Sequence, residues 1–116
     1  MITAADLRRL ATAFPEVTEF THHLHKQPGF KVRKNSFAGL EKGARTAVFS
    51  VSEQEAAAAI AAEPDVYEEV RRPDGSWVGL RTDLTRVTED RVRELVAHAW
   101  RNRAPKRLVA AYDAGG

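Results

Sequence analysis

The stretch FKVRKNSFAGLEKGARTAVFSV, residues 30–51, decides the fold. Its first residues alternate between apolar Phe30 and Val32 and basic Lys31 and Arg33, which predicts a strand with one apolar and one charged face. Turn residues divide the rest into two more short runs that favour strands. The predicted strands are residues 30–34, 36–41 and 46–51, with turns at Asn35 and at Lys42-Gly43. Because connections this short join strands that run in opposite directions, the stretch predicts an antiparallel meander.

The segments on either side of the meander predict helices and three further strands. Before it come a helix over residues 3–14, capped by Thr3 and ended by Pro15, a strand over 18–25, and a turn at Gln27-Pro28-Gly29. After it come a helix over 53–62, a hairpin of strands 66–71 and 76–81 around Arg72-Pro73-Asp74-Gly75, a long helix that starts at residues 88–90, and a short helix from Pro105 through Tyr112. Ser52 and Glu55 match a capping box at the start of the second helix.

This order, α-β-β-β-β-α-β-β-α with a short helical tail, predicts an α+β fold. We expect a single domain over residues 1–113 and a frayed tail over 114–116. Because the strands are joined mostly by hairpins, the sheet is predicted to be mainly antiparallel, with the helices on one face. In the last long helix an apolar stripe predicts the residues that face the sheet: Val92, Leu95, Val96, Ala99 and Trp100. The indole of Trp77 is open to two interpretations, core packing or an exposed edge that could stack on a base.

Composition excludes several classes of function. The chain has 116 residues, 43% of them hydrophobic, and no cysteine, so disulfides, thiolate nucleophiles and zinc–cysteine sites are excluded. A run of about 20 apolar residues is missing, as is a basic segment followed by an apolar run at the N-terminus, so we expect a cytoplasmic protein with no membrane span. Gly-rich phosphate loops, nucleophile elbows and His-Glu-x-x-His patterns are also missing. We therefore expect no enzymatic activity and no cofactor.

The net charge of +2 conceals a strongly uneven distribution along the chain. Residues 30–50 carry a net charge of +4, residues 51–70 carry −6, and residues 71–108 carry +5. Basic segments that fold together could form a patch for phosphate or another polyanion. The alternative is an ordinary solvated surface on which each cation has its own acid nearby.

Several motifs, spread over most of the chain, resemble the MmcQ/YjbR family of small bacterial proteins. They are Phe14-Pro15-Glu16-Val17-Thr18-Glu19, Pro28-Gly29-Phe30-Lys31-Val32-Arg33, Phe37-Ala38, Trp77-Val78-Gly79-Leu80, Trp100, and Ala104-Pro105-Lys106-Arg107-Leu108. The resemblance implies a CyaY-like fold, related to that of frataxin, and a "double wing" arrangement described as a DNA-binding motif. It therefore implies a small DNA-binding module. The alternative is a protein-interaction adaptor with no nucleic-acid or catalytic role; in either case we expect a monomer or weak dimer.

In this interpretation two hairpins with basic tips are the wings, and DNA binding is salt-sensitive with weak sequence specificity. The candidate nucleic-acid-binding residues are Lys31, Arg33, Lys34, Arg71, Arg72, Arg81, Lys106 and Arg107. Lys31 and Arg33 are predicted to share a strand face. Lys106 and Arg107 have a second interpretation, in which they bond the last carbonyls of the preceding helix and interact with its dipole.

Three histidines, His22, His23 and His25, raise the question of a metal site. On a strand His23 and His25 would share a face and His22 would point the other way, which leaves two ligands and only Glu19 as a close carboxylate. We expect a polar surface strand and no metal. The acidic residues Glu63, Asp65, Glu68 and Glu69 are interpreted as a solvated face.

Overall fold

A computed structural model describes residues 2–24 and 26–115. Within these ranges it contains four helices and six strands, in the order that the sequence predicts. They are α1 (Ala4–Thr12), β1 (Val17–Thr21), β2 (Pro28–Val32), β3 (Asn35–Leu40), β4 (Thr46–Phe49), α2 (Glu53–Ala62), β5 (Tyr67–Arg71), β6 (Trp77–Asp83), α3 (Glu89–Arg103) and α4 (Lys106–Gly115). The α+β prediction is therefore confirmed.

The six strands form one sheet in the order β1-β2-β3-β4-β6-β5, and every neighbouring pair is antiparallel. As a result β2, β4 and β5 run towards the same end of the sheet. The β2–β3 turn (33–34) and the β5–β6 turn (72–76) both emerge at that end, which we call the turn end. The two hairpins are separated only by β4.

Helices cover one face of the sheet, and the core lies between them. α1 contacts β1 and β2, α3 contacts β3 and β4, and α2 contacts β5 and β6. The predicted stripe of α3 is buried along its whole length, which confirms it. Trp100 is 0% exposed, and its indole Nε1 donates to the carbonyl oxygen of Pro15 at 3.1 Å. No helix in residues 2–24 and 26–115 is long and apolar enough to cross a membrane.

The caps of the first two helices differ in one respect from the prediction. Thr3 and Asp6 form a reciprocal capping box at α1. Ser52 accepts from the backbone N–H of Glu55 and so caps α2, as predicted, but the carboxylate of Glu55 does not reach back. Glu55 Oε2 instead lies 2.5 Å from His98 Nδ1 on α3. The predicted capping box is therefore wrong for Glu55, because the carboxylate of Glu55 contacts His98 on α3 instead of the start of α2.

The predicted N-terminal strand is too long. β1 ends at Thr21, and residues 22–24 form a turn, so His22 and His23 do not lie on a strand; His25 lies outside the described residues. Pro28 and Gly29 begin β2 rather than form a turn. Proline is tolerated there because the first residue of a strand can lack an N–H donor.

The prediction also misplaced the first hairpin turn and the end of the last helix. β2 ends at Val32, and the turn is Arg33-Lys34 rather than Asn35, which begins β3. Arg33 therefore does not share a strand face with Lys31. Helix α4 continues through Gly115, so Ala114 and Gly115 are helical, while Gly116 lies outside the described residues.

Candidate nucleic-acid interface

Three of the eight candidate cations are held by carboxylates. Arg33 Nε lies 2.8 Å from Glu16 Oε1, and Arg71 Nη2 lies 2.6 Å from Glu53 Oε2. Arg71 also bonds Glu69 at 3.2 Å. The hydrogen bond from Arg33 holds the pKa of Glu16 below its usual range, which shows that the pair favours the charged carboxylate.

Arg81 makes more hydrogen bonds to carboxylates than Arg33 or Arg71 does. It lies on the helix-free face of the sheet, and its guanidinium bonds both carboxylate oxygens of Glu41, at 2.7 and 2.9 Å, as well as Glu68. A phosphate could bind Arg81 only by displacing these carboxylates. Arg33 and Arg71 are also bonded to carboxylates, so a phosphate at any of these three arginines would have to compete with the ion pairs already present.

Lys31 lies inside β2 rather than at a tip. Its side chain is half-buried, and its Nζ lies 5.8 Å from the ring centroid of Phe20 on β1. Such a cation–aromatic contact is worth about 0.5–1 kcal/mol at an exposed site. Lys31 is therefore set back from the turn end.

Lys34 and Arg72 lie in the two hairpin turns at the turn end, and both are exposed. Within the described parts of the chain neither forms an ion pair. Arg72 Nη1 makes only long contacts of 3.5 Å with Ser76 and with the carbonyl of Trp77. The pKa of Asp74 in the same turn is lowered, mainly by hydrogen bonds from Ser76 and to a lesser degree by the charge of Arg72. The tips of both predicted wings thus carry an accessible cation.

Lys106 and Arg107 begin helix α4 instead of ending α3. The last carbonyl of α3, that of Arg103, accepts from Asn35 Nδ2 at 3.1 Å, and neither cation bonds an α3 carbonyl within residues 2–24 and 26–115. The prediction that these two cations bond the last carbonyls of α3 is therefore wrong. Cations in the first turn of a helix face the positive end of its dipole, which is electrostatically unfavourable.

Arg103 belongs with these cations, although the sequence interpretation did not include it. Two side-chain amides hold the end of α3 against the turn end. The amide of Asn35 donates to the carbonyl of Arg103, and Nδ2 of Asn102 donates to the carbonyl of Ser50 at 2.7 Å. The guanidinium of Arg103 is exposed and forms no ion pair within the described residues. The available signal was its place two residues before Pro105, where a helix must stop.

The turns of both hairpins and the α3–α4 junction therefore meet at one end of the sheet. We call this surface the basic end. It consists of Lys34, Arg72, Arg103, Lys106 and Arg107. With strands about 4.8 Å apart, the midlines of the two hairpins are three strand positions, or about 14 Å, apart. The geometry offers separated positive charges that can contact an extended anion.

Among the described residues, the histidine segment and the acidic segment contain no cluster that could bind a metal ion. The rings of His22 and His23 stack with centroids 5.1 Å apart. Among the described residues no group of three or more His, Cys, Asp or Glu side chains could hold a metal ion, and His25 is not among them. In the acidic segment, Glu68 and Glu69 pair with Arg81 and Arg71, while Glu63 and Asp65 are exposed.

The fold and the basic end define a small α+β protein with one antiparallel sheet, helices on one face and basic turns at one end. The model of the YjbR family matches residues 12–102, and the chain belongs to that family. No curated protein matches the chain. The matched region ends at Asn102, so Arg103, Lys106 and Arg107 lie just beyond it.

Proposed function

We propose that this YjbR-family protein binds nucleic acid through its basic end, with the two hairpin turns set against phosphates on either side of a groove. The observation that supports the proposal is that five exposed cations lie at one end of the sheet, and none of them is ion-paired within the described residues. Such cations can meet a phosphate without first giving up a carboxylate. Because turns and a docked helix end hold the backbone of these residues, binding has to order only their side chains.

The spacing of the two hairpins fits this role. A separation of about 14 Å, from strand spacing, is close to the width of the major groove of B-DNA, about 12 Å. Lys34 on one hairpin and Arg72 on the other can then contact phosphates of opposite strands. Arg103, Lys106 and Arg107 extend the contact from the helical layer.

Binding of this kind has weak sequence specificity. Contacts from cations to phosphates position a protein on nucleic acid but do not distinguish bases. The basic end presents turns and a helix junction rather than the exposed face of a helix that could enter the groove. We therefore expect affinities for unrelated duplexes of equal length to agree within a few-fold.

The test is fluorescence anisotropy with a labelled duplex at several salt concentrations between about 50 and about 200 mM. Each neutralised phosphate contributes about −0.9 to the slope of log K against log salt, so contact by all five cations gives a slope of about −4.5. Absence of binding at low salt, or binding that does not depend on salt, would contradict the proposal. The first of these outcomes would favour the protein-interaction alternative.

A further inference from the structure

The helix-free face of the sheet contains a cleft of about 340 Å³. Its volume lies within the range of about 300–1,000 Å³ that is usual for small-molecule sites. Gly29, Gly39 and Val48 lie side by side across β2, β3 and β4 and form its floor. A Cβ added to Gly39 would approach only the Cα of Gly29, at 3.7 Å, so the space above Gly39 is open.

Two aromatic side chains line the cleft. The ring of Phe20 covers Gly29 so closely that a Cβ there would come within 2.5 Å of Phe20 Cζ. Trp77 lies towards the other side, and its Nε1 donates to the carbonyl of Val51 at 2.9 Å. The guanidinium of Arg71 lies 5.1 Å from the centroid of the Trp77 ring. Because the indole is held from two directions, it is an ordered surface on which a planar group can stack.

Two bulges shape this face near the turn end. Phe37 on β3 is an extra residue between the pairs Lys31–Ser36 and Phe30–Ala38, and Val78 on β6 is an extra residue in the other hairpin. A bulge increases the local twist and bends its strand. Each hairpin is therefore bent and more strongly twisted near the turn end.

The charges around the cleft are unequally distributed. Arg72 and Arg103 line it at the turn end, and neither is ion-paired within the described residues. Glu41 lies at the opposite end, where Arg81 binds its carboxylate. The cleft thus combines an apolar floor and aromatic sides with guanidinium groups at one end, which suits a planar ring that carries an anionic group.

We propose that this cleft binds one unpaired nucleotide of a nucleic-acid strand, with the base over Gly39 against Trp77 and its phosphate at Arg72 and Arg103. The inference rests on the proposed function, because these two arginines also belong to the basic end. Every base has a ring face that can stack on an aromatic side chain, and the arginine fork bonds phosphate in a bidentate manner. A base inside a duplex has both ring faces covered by its neighbours, so the cleft selects an unpaired nucleotide.

The variant Gly39→Val tests this inference. Valine is well suited to a strand, and its side chain would project into open space above the floor, so we expect the fold to be kept and the cleft to be filled. The matched control is Gly115→Val, which adds the same side chain at the end of α4, where nothing lies within 4 Å. Thermal melting of both variants checks that each is folded.

Anisotropy with a labelled oligothymidylate and with a duplex measures the effect. The stacking of one base contributes enough binding free energy that its loss weakens binding at least about fivefold. We expect this loss for Gly39→Val with the single strand, no change with the duplex, and no change for Gly115→Val with either. In NMR spectra of the wild-type protein, the amide signals of Gly29 and Gly39 and the indole signal of Trp77 should shift when oligothymidylate is added. This measurement does not depend on how the variant folds.

The two proposals fail in distinguishable ways. If single strand and duplex both bind, Gly39→Val leaves both affinities unchanged and the two glycine signals do not move, the cleft inference is wrong and the proposed function stands. If neither nucleic acid binds the wild-type protein at low salt, the proposed function is wrong and the cleft inference is overturned with it.

Discussion

Arg81 and Glu41 form a two-pronged ion pair on the helix-free face, with Nε–Oε1 and Nη2–Oε2 distances of 2.7 and 2.9 Å. The pair joins β6 to the residue that follows β3, across β4. Its hydrogen bonds raise the pKa of Arg81 above an already high value, so the guanidinium is charged at any pH at which the protein is folded. An arginine held in this way stabilises the sheet and has no free donor edge to offer a phosphate.

Replacing arginines singly should separate binding from stability. We expect Arg72→Gln, which removes an unpaired cation from a turn, to weaken duplex binding several-fold with no change in melting temperature. Arg81→Gln should leave binding unchanged and lower the free energy of unfolding by about 1–2 kcal/mol, a value between those of exposed and buried charge-assisted bonds. Anisotropy and urea denaturation of the two variants provide the measurements, and each variant is the control for the other. The reverse pattern would mean that the duplex binds beside Arg81 on the helix-free face rather than at the basic end.

The pair Lys106→Ala/Arg107→Ala tests the start of α4. Both cations face the positive end of the helix dipole and bond no carbonyl of α3 within the described residues, so their removal should leave the melting temperature unchanged or slightly higher. Duplex affinity should fall, and the salt slope should become less steep by about 1.8 if both contact phosphates. A clear drop in melting temperature would instead support a structural role for the two side chains.

Local signals in the sequence predicted the elements of the fold well. The stripe that ends at Trp100 and the caps at Thr3 and Ser52 depend on residues a few positions apart, so they are visible in the chain itself. The first hairpin shows where such rules stop. Asparagine tolerates positive φ, so Asn35 was predicted to form the turn. In this hairpin, however, the residue with positive φ is Arg33, at 55°. The ion pair with Glu16, together with a backbone bond from Arg33 N–H to the Glu16 carbonyl, holds it there.

The site was less predictable than the fold because it depends on partners that are distant in the sequence. Arg81 and Glu41 are 40 residues apart, and nothing near Arg81 in the chain distinguishes it from unpaired Arg72. The cleft has the same character, since its floor requires Gly29 and Gly39 to lie in register on neighbouring strands. A glycine inside a strand often marks a close approach by another group, which is the one hint the sequence contained.

Acid should destabilise the protein in a defined pH range. Hydrogen bonds from Thr3, first from its backbone, lower the pKa of Asp6, and the bond from Arg33 lowers that of Glu16. A group whose pKa is lower in the folded state stabilises the fold above its unfolded pKa, about 3.9 for Asp and 4.3 for Glu. We therefore expect a melting temperature that is level from neutral pH to about pH 5 and falls below about pH 4. The difference in melting temperature between the wild type and Asp6→Asn should shrink as the pH falls; a constant difference would contradict the role of the Asp6 charge.

Thr82 offers a substitution that should stabilise the protein. Its side chain is fully buried between β4 and β5, and its Oγ1 has no hydrogen-bond partner among the described residues. Because an unsatisfied buried hydroxyl costs about 1 kcal/mol or more, Thr82→Val should raise the free energy of unfolding by about that amount and the melting temperature by on the order of 4 °C. The matched control is Thr46→Val, which removes a hydroxyl that donates to Glu41 Oε1 at 2.7 Å and should lower stability by about 1 kcal/mol. Scanning calorimetry of the two variants should therefore give shifts of opposite sign, and a lower melting temperature for Thr82→Val would mean that its hydroxyl is bonded in solution.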